Sequence, residues 1–590
     1  MVRRWGPVME SVEHLVTRIY GMAKERIGPT GRRSDEDDSS GSVVFVPLSA
    51  PPQPEARQPW PISEMIRQFA RRCSLWRAVQ PVEQLRVSAP IDRLFGWLTT
   101  IVITAVAFGL RWWNLARPGE PMFDETIYAK DSYSLLRYGY EGIWAVDGGV
   151  DPLVTGDTTA LLPNGSFVMY PPVGKWLIGL GEWLFGLNPF GWRFASLVFG
   201  SLLVFLVVRL GRRLSRSTMV GGLAGLFIAF DGLSFVMSRI AMLEIFETCF
   251  IVAGVAAVVA DRDHFRNKLA DGLEVVDSKP GRSVFRPWLI VAGVMFGLAV
   301  GTKWDAVYPL AVFAVLTVVW TVRSRHIAGR TTKWARITDQ VQLLASMVVL
   351  PVVVYVGTWA GWLSTSDGYG RQWGLEHPGD WVVRHFGQGL GSLGHYTIDI
   401  YNWQTGAVMS AAQPSYDSNP WGWPVLARTI GFHWRTNLLV DSFGSDPLPP
   451  RLPDCPSGEI CLQVVTGLGT PLLWWGAALA LLIGVFRSLV AGDWRFLVTC
   501  LATASTWLPW ILVHHGPVFA HYALPMIPFM SIGLAMLLNP AKTGPGRRTM
   551  LVVAYAFLVV ANFVFNYPIL TGQTLTADAY LWRIWFPGWS

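Results

Sequence analysis

Charged residues are scarce in this sequence. Asp, Glu, Lys and Arg make up only 15% of its 590 residues, whereas 51% are hydrophobic. A soluble chain carries about a quarter charged residues. Several apolar runs of about 20 residues explain the deficit, so the sequence predicts an all-α polytopic membrane protein. The net charge of +7 lies in short loops, which indicates membrane topology and argues against nucleic acid as a partner.

Cysteine is also scarce, with five residues, and no spacing typical of a metal site such as Cys-x-x-Cys occurs. Cys455 and Cys461 are six positions apart in one loop. In an external, oxidising compartment they can form a local disulfide, and otherwise they remain two free thiols. His514 and His515 are adjacent but have no carboxylate at a matching spacing, so we expect no metal.

A cleavable secretory signal is absent before the first long apolar run, so we expect that run to act as an uncleaved signal anchor. Residues 1–90 predict a largely disordered cytoplasmic tail, in which 62–87 can form an amphipathic helix on the membrane surface. Residues 91–566 predict a transmembrane domain, and residues 567–590 predict an external C-terminal segment.

Eleven apolar stretches are long enough to cross a membrane. They lie at about 94–113, 190–209, 218–235, 240–260, 287–302, 305–322, 340–362, 467–487, 494–513, 518–538 and 548–566. Lys and Arg cluster in every second connecting loop, which predicts a cytoplasmic N-terminus and an external C-terminus. Two large segments, 114–189 and 363–466, then lie outside, and we expect amphipathic helices within them.

An acidic pair, Asp124 and Glu125, follows the first predicted span. A carboxylate that is partly removed from water can act as a general base toward a hydroxyl group. The alternative is a helix N-terminus at which acidic residues are favoured by the helix dipole. Neighbouring residues on a helix point about 100° apart, so only one of these two candidate catalytic carboxylates can face a given pocket.

Three cations, Lys175, Arg239 and Lys303, lie near the outer ends of predicted helices. Each is a candidate for contact with a lipid phosphate, although Lys175 can equally serve as an interfacial anchor. Glu244 lies within the fourth predicted span, where ionisable residues are usually functional or paired. We expect Glu244 to orient Arg239 or to stabilise a contact between helices.

Aromatic and polar residues of the outer segments complete the candidate site. Tyr170 opens a Pro-rich entry to an apolar helix, and His521 and Tyr522 lie at the turn before the tenth predicted span. Asn419 and Trp421 belong to an aromatic, Pro-rich turn. That turn can shape a groove for an acceptor, or it can simply pack on the membrane surface.

An ordered set of motifs carries a family resemblance. The motifs are Phe123-Asp124-Glu125, Tyr170-Pro171-Pro172-Val173-Gly174-Lys175, Ser238-Arg239, Thr302-Lys303-Trp304, Ser418-Asn419-Pro420-Trp421 and His521-Tyr522 with Pro525. Over about residues 94–566 the chain resembles the protein O-mannosyltransferases of the GT-C glycosyltransferase superfamily. The similarity is to the bacterial members from high-G+C Gram-positive organisms.

The resemblance implies a GT-C fold and a glycosyltransferase of the bacterial plasma membrane. It implies inverting transfer of mannose from polyprenyl-phosphate mannose to Ser or Thr hydroxyls of exported proteins, without a metal. Asp124 maps onto the base of the family, and Arg239 maps onto the arginine that supports the donor phosphate. Membrane lipids and the secretion translocon are further candidate partners.

Three positions depart from the pattern of the family. Tyr170 and Gln404 stand where histidine is common, and Glu244 stands where aspartate is common. The segment 363–466 is too short to hold the MIR domain of eukaryotic members, so the bacterial type fits better.

Two other functions remain open from the residues. Another GT-C enzyme would transfer mannose, arabinose or aminoarabinose from a lipid carrier to a glycolipid, and the identity of the acceptor discriminates it. A transporter of lipid or sugar would need no base and would keep its activity without Asp124. We find no inverted repeat or pair of broken helices in the sequence, which argues weakly against a transporter.

Overall fold

The computed structural model describes residues 80–88, 90, 92–146, 151–274, 283–329, 332–406, 416–437, 452–457, 459–513, 516–539 and 546–589. The predicted disordered tail, and most of the predicted amphipathic helix 62–87, lie outside these residues. The two histidines at 514 and 515 also lie outside them.

Helices dominate the described residues. They are α1 Pro81–Leu85, α2 Arg93–Trp112, α3 Glu125–Tyr138, α4 Pro152–Thr155, α5 Val173–Phe185, α6 Pro189–Ser215, α7 Thr218–Ala229, α8 Gly232–Met237, α9 Glu244–Glu274, α10 Pro287–Val300, α11 Val307–Ala328, α12 Lys333–Leu344, α13 Leu350–Thr358, α14 Ala360–Leu363, α15 Trp373–Glu376, α16 Trp381–Phe386, α17 Gln388–Thr405, α18 Pro471–Val490, α19 Trp494–Leu512, α20 Ile527–Leu538, α21 Arg547–Thr571 and α22 Ala577–Leu581.

Among the described residues, seven helical stretches are long and apolar enough to cross a membrane. They are α2, α6, Trp304–Ala328 (which includes α11), Lys333–Thr358 (α12 to α13), α18, α19 and α21. The apolar helices α7, α10 and α20 are shorter. The prediction of a helical polytopic membrane protein is therefore confirmed, while the number of eleven spans stays a prediction.

The interior of the bundle is built around α9, which packs against α6, α10 and α11. Phe246 and Val255 of α9 are fully buried. By contrast, Leu94 of α2 and Val315 of α11 are well exposed. Lipid tails are as apolar as these side chains, so exposed aliphatic residues on the outer helices fit a bundle that is surrounded by a membrane.

Local signals explain where the helices that carry the site begin and end. The side chain of Asn188 accepts hydrogen bonds from the backbone N–H groups of Phe190 and Gly191, and it thereby caps α6. α3 ends at Tyr138 and is capped by Gly139, whose φ of +82° is readily adopted only by glycine. These caps determine how the first predicted outer segment turns back on itself.

Two small antiparallel sheets lie outside the helices. One pairs β1 Gly142–Trp144 with β2 Leu161–Gly165. The other has the order β3-β4-β5, formed by Gly431–Thr436, Cys461–Thr466 and Thr574–Thr576. Cys455 and Cys461 form a disulfide at the start of β4, with their Cα atoms 6.0 Å apart.

Both ends of the predicted transmembrane domain are integrated into the fold. Leu85 of α1 is fully buried in a cluster with Phe265 and Leu269, although we predicted that residues 80–88 belong to the tail. At the other end, the predicted boundary at 566 falls inside α21. β5 then completes a sheet begun by the second outer segment, so residues 567–590 pack with that segment.

Candidate active site

Asp124 lines a cavity of about 730 Å³. The walls come from the segments before α3, α5 and α20, the turn before α11, and the C-terminal ends of α17 and α19. The preceding residue, Phe123, has a φ of +49°, a conformation that non-glycine residues rarely adopt. Backbone strain of this kind is frequent where side chains are held for function.

The carboxylate of Asp124 retains much of its capacity to accept hydrogen bonds. The hydroxyl of Tyr128 donates to Asp124 Oδ2 over a long distance of 3.4 Å. Burial raises the pKa of Asp124 to about 6, and Glu244 adds to the rise, while His521, Tyr128 and Lys303 oppose it. A carboxylate with this pKa is ionised at neutral pH and is more basic than an ordinary aspartate, as a general base requires.

Glu125, by contrast, already accepts hydrogen bonds at both of its carboxylate oxygens. Arg193 binds both of its oxygens, from Nε to Oε1 at 2.8 Å and from Nη2 to Oε2 at 2.7 Å. The backbone N–H groups of Met122 and Ala241 also donate to it, each at 2.9 Å. The side chain is fully buried, so Glu125 joins the start of α3 to α6 and to the segment before α9. Of the predicted acidic pair, Asp124 alone lines the cavity.

Arg193 was not among the predicted site residues. It is fully buried, and it also donates to the backbone carbonyl groups of Pro118 at 2.6 Å and Glu120 at 2.9 Å. One guanidinium therefore holds the chain on both sides of Asp124. Its position within a predicted apolar span could have identified it from the sequence, because ionisable residues in such spans are usually functional or paired.

Lys303 lines the same cavity as Asp124. Its ammonium group lies 3.0 Å from Glu244 Oε1 and 3.8 Å from the centre of the Tyr522 ring. The rings of Tyr170 and Trp510 lie farther away, at 5.5 Å and 5.8 Å. Aromatic faces attract a cation, so these rings stabilise the ammonium group inside the protein.

Glu244 orients Lys303 rather than Arg239. It is also 3.5 Å from His521 Nε2, and both side chains are buried. His521 stacks on Phe519, which lines the Asp124 cavity. The two candidates Glu244 and His521 thus lie behind the cavity wall and support it.

Arg239 lies in a different cavity, of about 710 Å³. Its guanidinium donates to the carbonyl groups of Arg111 at 2.8 Å, Trp113 at 2.6 Å and Asn114 at 2.9 Å. These carbonyl groups belong to the C-terminal end of α2, where helix carbonyls otherwise lack donors. The structure therefore places Arg239 as a cap of α2, apart from Asp124.

Lys175 is held by two acids. Its ammonium group lies 2.6 Å from Glu141 Oε1 and 3.4 Å from Asp131 Oδ2, and the residue is 1% exposed. This cluster ties α5 to α3 and to the start of β1. Among the described residues Lys175 does not line the Asp124 cavity.

The predicted acceptor turn lies beside the site. Asn419 Oδ1 accepts from the backbone N–H of Trp421 at 3.0 Å, and Trp421 is 65% exposed. The backbone N–H of Ser418 donates to the carbonyl of Val518, next to Phe519, at 2.7 Å. The turn therefore packs against and supports the segment of the cavity wall that carries Phe519 and Tyr522. Gln404, which departs from the family pattern, lines the cavity and donates to the carbonyl of Met169 at 2.6 Å.

No cluster of three or more His, Cys, Asp or Glu is placed to hold a metal ion within the described residues. The cavity instead joins a basic carboxylate, a buried ammonium group and a wall rich in aromatic side chains, at the ends of membrane helices. These features define the class as a membrane-embedded enzyme that acts on a substrate at the membrane surface.

Comparison with known families identifies the enzyme class more closely. Residues 101–361 match the profile of the dolichyl-phosphate-mannose-protein mannosyltransferases. Residues 396–589 match the profile of the C-terminal four-helix membrane region of the protein O-mannosyltransferases. The chain belongs to the protein O-mannosyltransferase family of glycosyltransferases, as the sequence motifs predicted.

Relatives in actinobacteria are similar over most of their length. A protein of Mycobacterium tuberculosis named polyprenol-phosphate-mannose–protein mannosyltransferase is 32% identical, over 85% of this chain and 93% of its own. A protein of the same name from Mycolicibacterium smegmatis is 33% identical, over 85% of this chain and 94% of its own. The same name is given to a Corynebacterium glutamicum protein that is 29% identical, over 80% of this chain and 88% of its own.

The fold is also found in a solved structure. The Saccharomyces cerevisiae protein O-mannosyltransferase Pmt1-Pmt2 complex, bound to its sugar donor, superimposes with a TM-score of 0.61. The match covers 86% of this chain and 94% of that chain, at 12% sequence identity. This likeness confirms the prediction of a GT-C fold.

Proposed function

We propose that the chain transfers mannose from polyprenyl-phosphate mannose to Ser or Thr hydroxyl groups of exported proteins. Relatives named polyprenol-phosphate-mannose–protein mannosyltransferase, at 32% and 33% identity, support the donor and a protein acceptor in this proposal. The observation that carries it is the placement of Asp124 and Lys303 in one cavity. One supplies a base and the other a cation, which are the two charges that the reaction needs.

In the proposed reaction, Asp124 accepts the proton of the acceptor hydroxyl as that oxygen attacks the anomeric carbon of mannose. The new carbon–oxygen bond forms on the face opposite the phosphate, and the bond to the phosphate oxygen breaks. Polyprenyl phosphate leaves with the electron pair, so the configuration inverts. Lys303 stabilises the negative charge that develops on the leaving phosphate. Holding both substrates in line supplies much of the remaining acceleration.

The other candidates have positioning roles in this proposal. Glu125, through Arg193, holds the chain on which Asp124 is mounted. Glu244 orients Lys303, and Tyr170 and Tyr522 surround its ammonium group. Lys175 holds α5 within its acidic cluster, and Arg239 caps α2. In this proposal only Lys303 of the three cations contacts the donor phosphate.

The orientation in the membrane is part of the proposal. Basic residues end α6, α11 and α18, whereas the Asp124 cavity lies at the opposite ends of the membrane helices. The positive-inside rule therefore favours a cytoplasmic N-terminus, an external C-terminus and a cavity on the outer face of the bacterial plasma membrane. α1 then lies on the cytoplasmic side, and proteins leaving the secretion translocon reach the cavity directly.

The test is transfer by the purified full chain. Radiolabelled polyprenyl-phosphate mannose is mixed with a Ser/Thr/Pro-rich peptide and with wild-type protein, Asp124→Asn or Glu376→Gln. The last is a matched control, because Glu376 is an exposed carboxylate outside the cavity. We expect label in the peptide from wild type and control, and a loss of about 10²–10⁴-fold for Asp124→Asn.

Three results would contradict the proposal. Near-normal transfer by Asp124→Asn would remove Asp124 as the base. Label that enters a glycolipid acceptor but never the peptide would favour another lipid-linked-sugar transferase. Transport of the lipid that survives the loss of Asp124, without any transfer, would favour a transporter.

A further inference from the structure

A third cavity, of about 770 Å³, lies between α11, α12 and the turn that follows α12. It has no part in the proposed reaction. Asp305, at the start of the α11 stretch, lines the Asp124 cavity, whereas Arg325, near its end, lines this third cavity. The twenty helical steps from one to the other span about 30 Å, which is the thickness of the hydrocarbon core. The third cavity is therefore near the opposite membrane surface.

One wall of this cavity is aliphatic and open to the outside of the bundle. Val315 is 65% exposed, Val322 64%, Leu344 57% and Val348 51%. In a membrane helix such side chains face hydrocarbon, so the cavity between them suits an equally apolar occupant. An acyl chain satisfies this requirement, whereas a small polar solute does not.

The rim of the cavity is basic. Arg336 and His326 lie on it, are both exposed, and have no ion-pair partner within the described part of the chain. The acid nearest to them in the lining, Asp339, is engaged by Arg325, from Nε to Oδ2 at 2.8 Å and from Nη2 to Oδ1 at 3.0 Å. Because Asp339 is neutralised, the rim presents positive charge to an incoming anion.

Trp334 indicates how deep in the membrane this rim lies. It lies two residues before Arg336 and is 77% exposed. Exposed tryptophan is enriched at the level of lipid headgroups. The guanidinium of Arg336 is therefore at the height where a lipid phosphate lies, directly above the aliphatic wall.

The helix wall of the cavity is itself irregular. Residues Ala345–Val349 form a π-helical turn, and Met347 and Val348 of this turn line the cavity. Pro351 lacks the N–H group that an α-helix would use to bond the carbonyl of Met347. Gly293 of α10 fits tightly against the same turn, since a Cβ atom there would meet the carbonyl oxygen of Ser346 at 1.9 Å. π-helical turns are frequent at functional sites, and this one packs closely against α10.

We propose that this cavity binds an anionic phospholipid of the membrane leaflet opposite the Asp124 cavity. The phosphate group is bound at Arg336, and one acyl chain lies along Val315, Val318 and Val322. Basic pockets between membrane helices recognise anionic headgroups in this way. The distance of about 30 Å from Asp305 separates this lipid from a donor that reacts at Asp124.

The experiment measures lipid binding to the purified full chain in detergent by native mass spectrometry. The probes are phosphatidylglycerol and phosphatidylcholine with identical acyl chains. We expect preferential retention of phosphatidylglycerol, and about fivefold weaker retention by Arg336→Ala. Arg323→Ala is the matched control, because Arg323 is exposed on the same end of α11 but does not line the cavity. It should bind like wild type.

A second variant leaves every charge unchanged and tests where the acyl chain binds. Val318→Trp places a large ring on the aliphatic wall, and we expect it to lower the retention of phosphatidylglycerol. Its melting temperature, compared with that of wild type, establishes that the variant is folded. If a folded Val318→Trp protein retained phosphatidylglycerol as well as wild type does, the proposed position of the acyl chain would be overturned.

Other outcomes would also overturn the proposal. Equal retention of the two lipids, or equal loss in Arg336→Ala and Arg323→Ala, would mean that the rim does not recognise the phosphate. Displacement of phosphatidylglycerol by inorganic phosphate alone would identify a site for a free anion. Tighter retention of polyprenyl phosphate than of phosphatidylglycerol would assign the cavity to the lipid carrier instead.

Discussion

The Asp124 cavity and the Arg239 cavity both contain predicted site residues, but their charges are used differently. In the first, Asp124 accepts one long hydrogen bond of 3.4 Å and faces the cavity beside Lys303. In the second, the guanidinium of Arg239 holds three backbone carbonyl groups, and Arg435 pairs with Glu120 at 3.0 Å. The Arg239 guanidinium therefore uses three of its five N–H groups within the fold, whereas the Asp124 carboxylate accepts one weak bond. The two cavities therefore differ in the carboxylate: Asp124 has spare capacity to accept a proton, whereas Lys303 beside it is paired with Glu244, and Arg239 is bound to the end of α2.

The same contrast separates two neighbouring residues. Asp124 and Glu125 have the same charge and adjacent positions, yet Glu125 accepts four hydrogen bonds from Arg193 and the backbone. Only its neighbour retains the capacity to take a proton from a substrate. The following variants are chosen to break or to sharpen this difference.

The largest effect on stability is expected for Glu125→Gln. Without the carboxylate, the buried guanidinium of Arg193 has no counter-charge, so we expect the free energy of unfolding to fall by about 3–5 kcal/mol. Asp124→Asn should be at least as stable as wild type at neutral pH, because its side chain has one weak internal partner and burial disfavours its charged form. Thermal unfolding of both proteins in the same detergent makes the measurement. A Glu125→Gln protein that is as stable as wild type but inactive would place Glu125 in the chemistry.

The next largest effect should distinguish Lys303 from Arg239. Lys303→Met should lower kcat at saturating donor by about 10²–10³-fold, because it removes the cation that stabilises the leaving phosphate. Lys303→Arg, which keeps the charge beside Glu244, serves as its control. Arg239→Ala should leave the donor KM unchanged and lower the melting temperature, since the end of α2 loses three donors. A large rise in donor KM without a loss of stability would instead assign the phosphate to the Arg239 cavity.

The smallest expected effect is a change with pH. Burial raises the pKa of Asp124 to about 6, and the base acts only when it is deprotonated. The kcat/KM for transfer should therefore fall about tenfold for each pH unit below about 6. Stability should change in the opposite sense, because between the ordinary pKa of aspartate and about 6 the folded state binds more protons than the unfolded state. Unfolding free energy then falls as pH rises through that window, and Asp124→Asn should make this slope shallower by the contribution of Asp124.

A profile of kcat/KM that is flat from pH 5 to pH 8 would contradict the assignment of Asp124 as the base. Glu376→Gln provides the reference for this measurement, because it leaves the cavity unchanged.

The helices were predicted well where apolar length alone defines them. The predicted span 94–113 corresponds to Arg93–Trp112, and 494–513 corresponds to Trp494–Leu512. The prediction was less accurate at 518–538, where the helix is only Ile527–Leu538, because Ala520–Ala523 forms a separate turn that carries His521. It was also short at 240–260, since α9 continues to Glu274. Hydropathy does not detect a helix that extends beyond the membrane with polar residues.

The members of the site were predicted better than their partners. Asp124, Tyr170, Lys303 and Tyr522 were all singled out from the sequence, and all four line one cavity. Glu244 was expected beside Arg239 but lies beside Lys303. The pairing depends on how α9 and the turn before α11 approach each other, which no local pattern records.

The sequence by itself determined that the chain is a helical polytopic membrane protein, the family, and most of the ionisable residues around the site. These properties can be read from short stretches of sequence. The apolar length of a stretch predicts a membrane span, and an ordered set of motifs indicates a family. Only the tertiary structure decided which charges face a cavity and which are saturated by the fold. The reason is that the electrostatic environment of a side chain depends on groups distant in the sequence, such as Arg193 for Glu125 and Glu244 for Lys303.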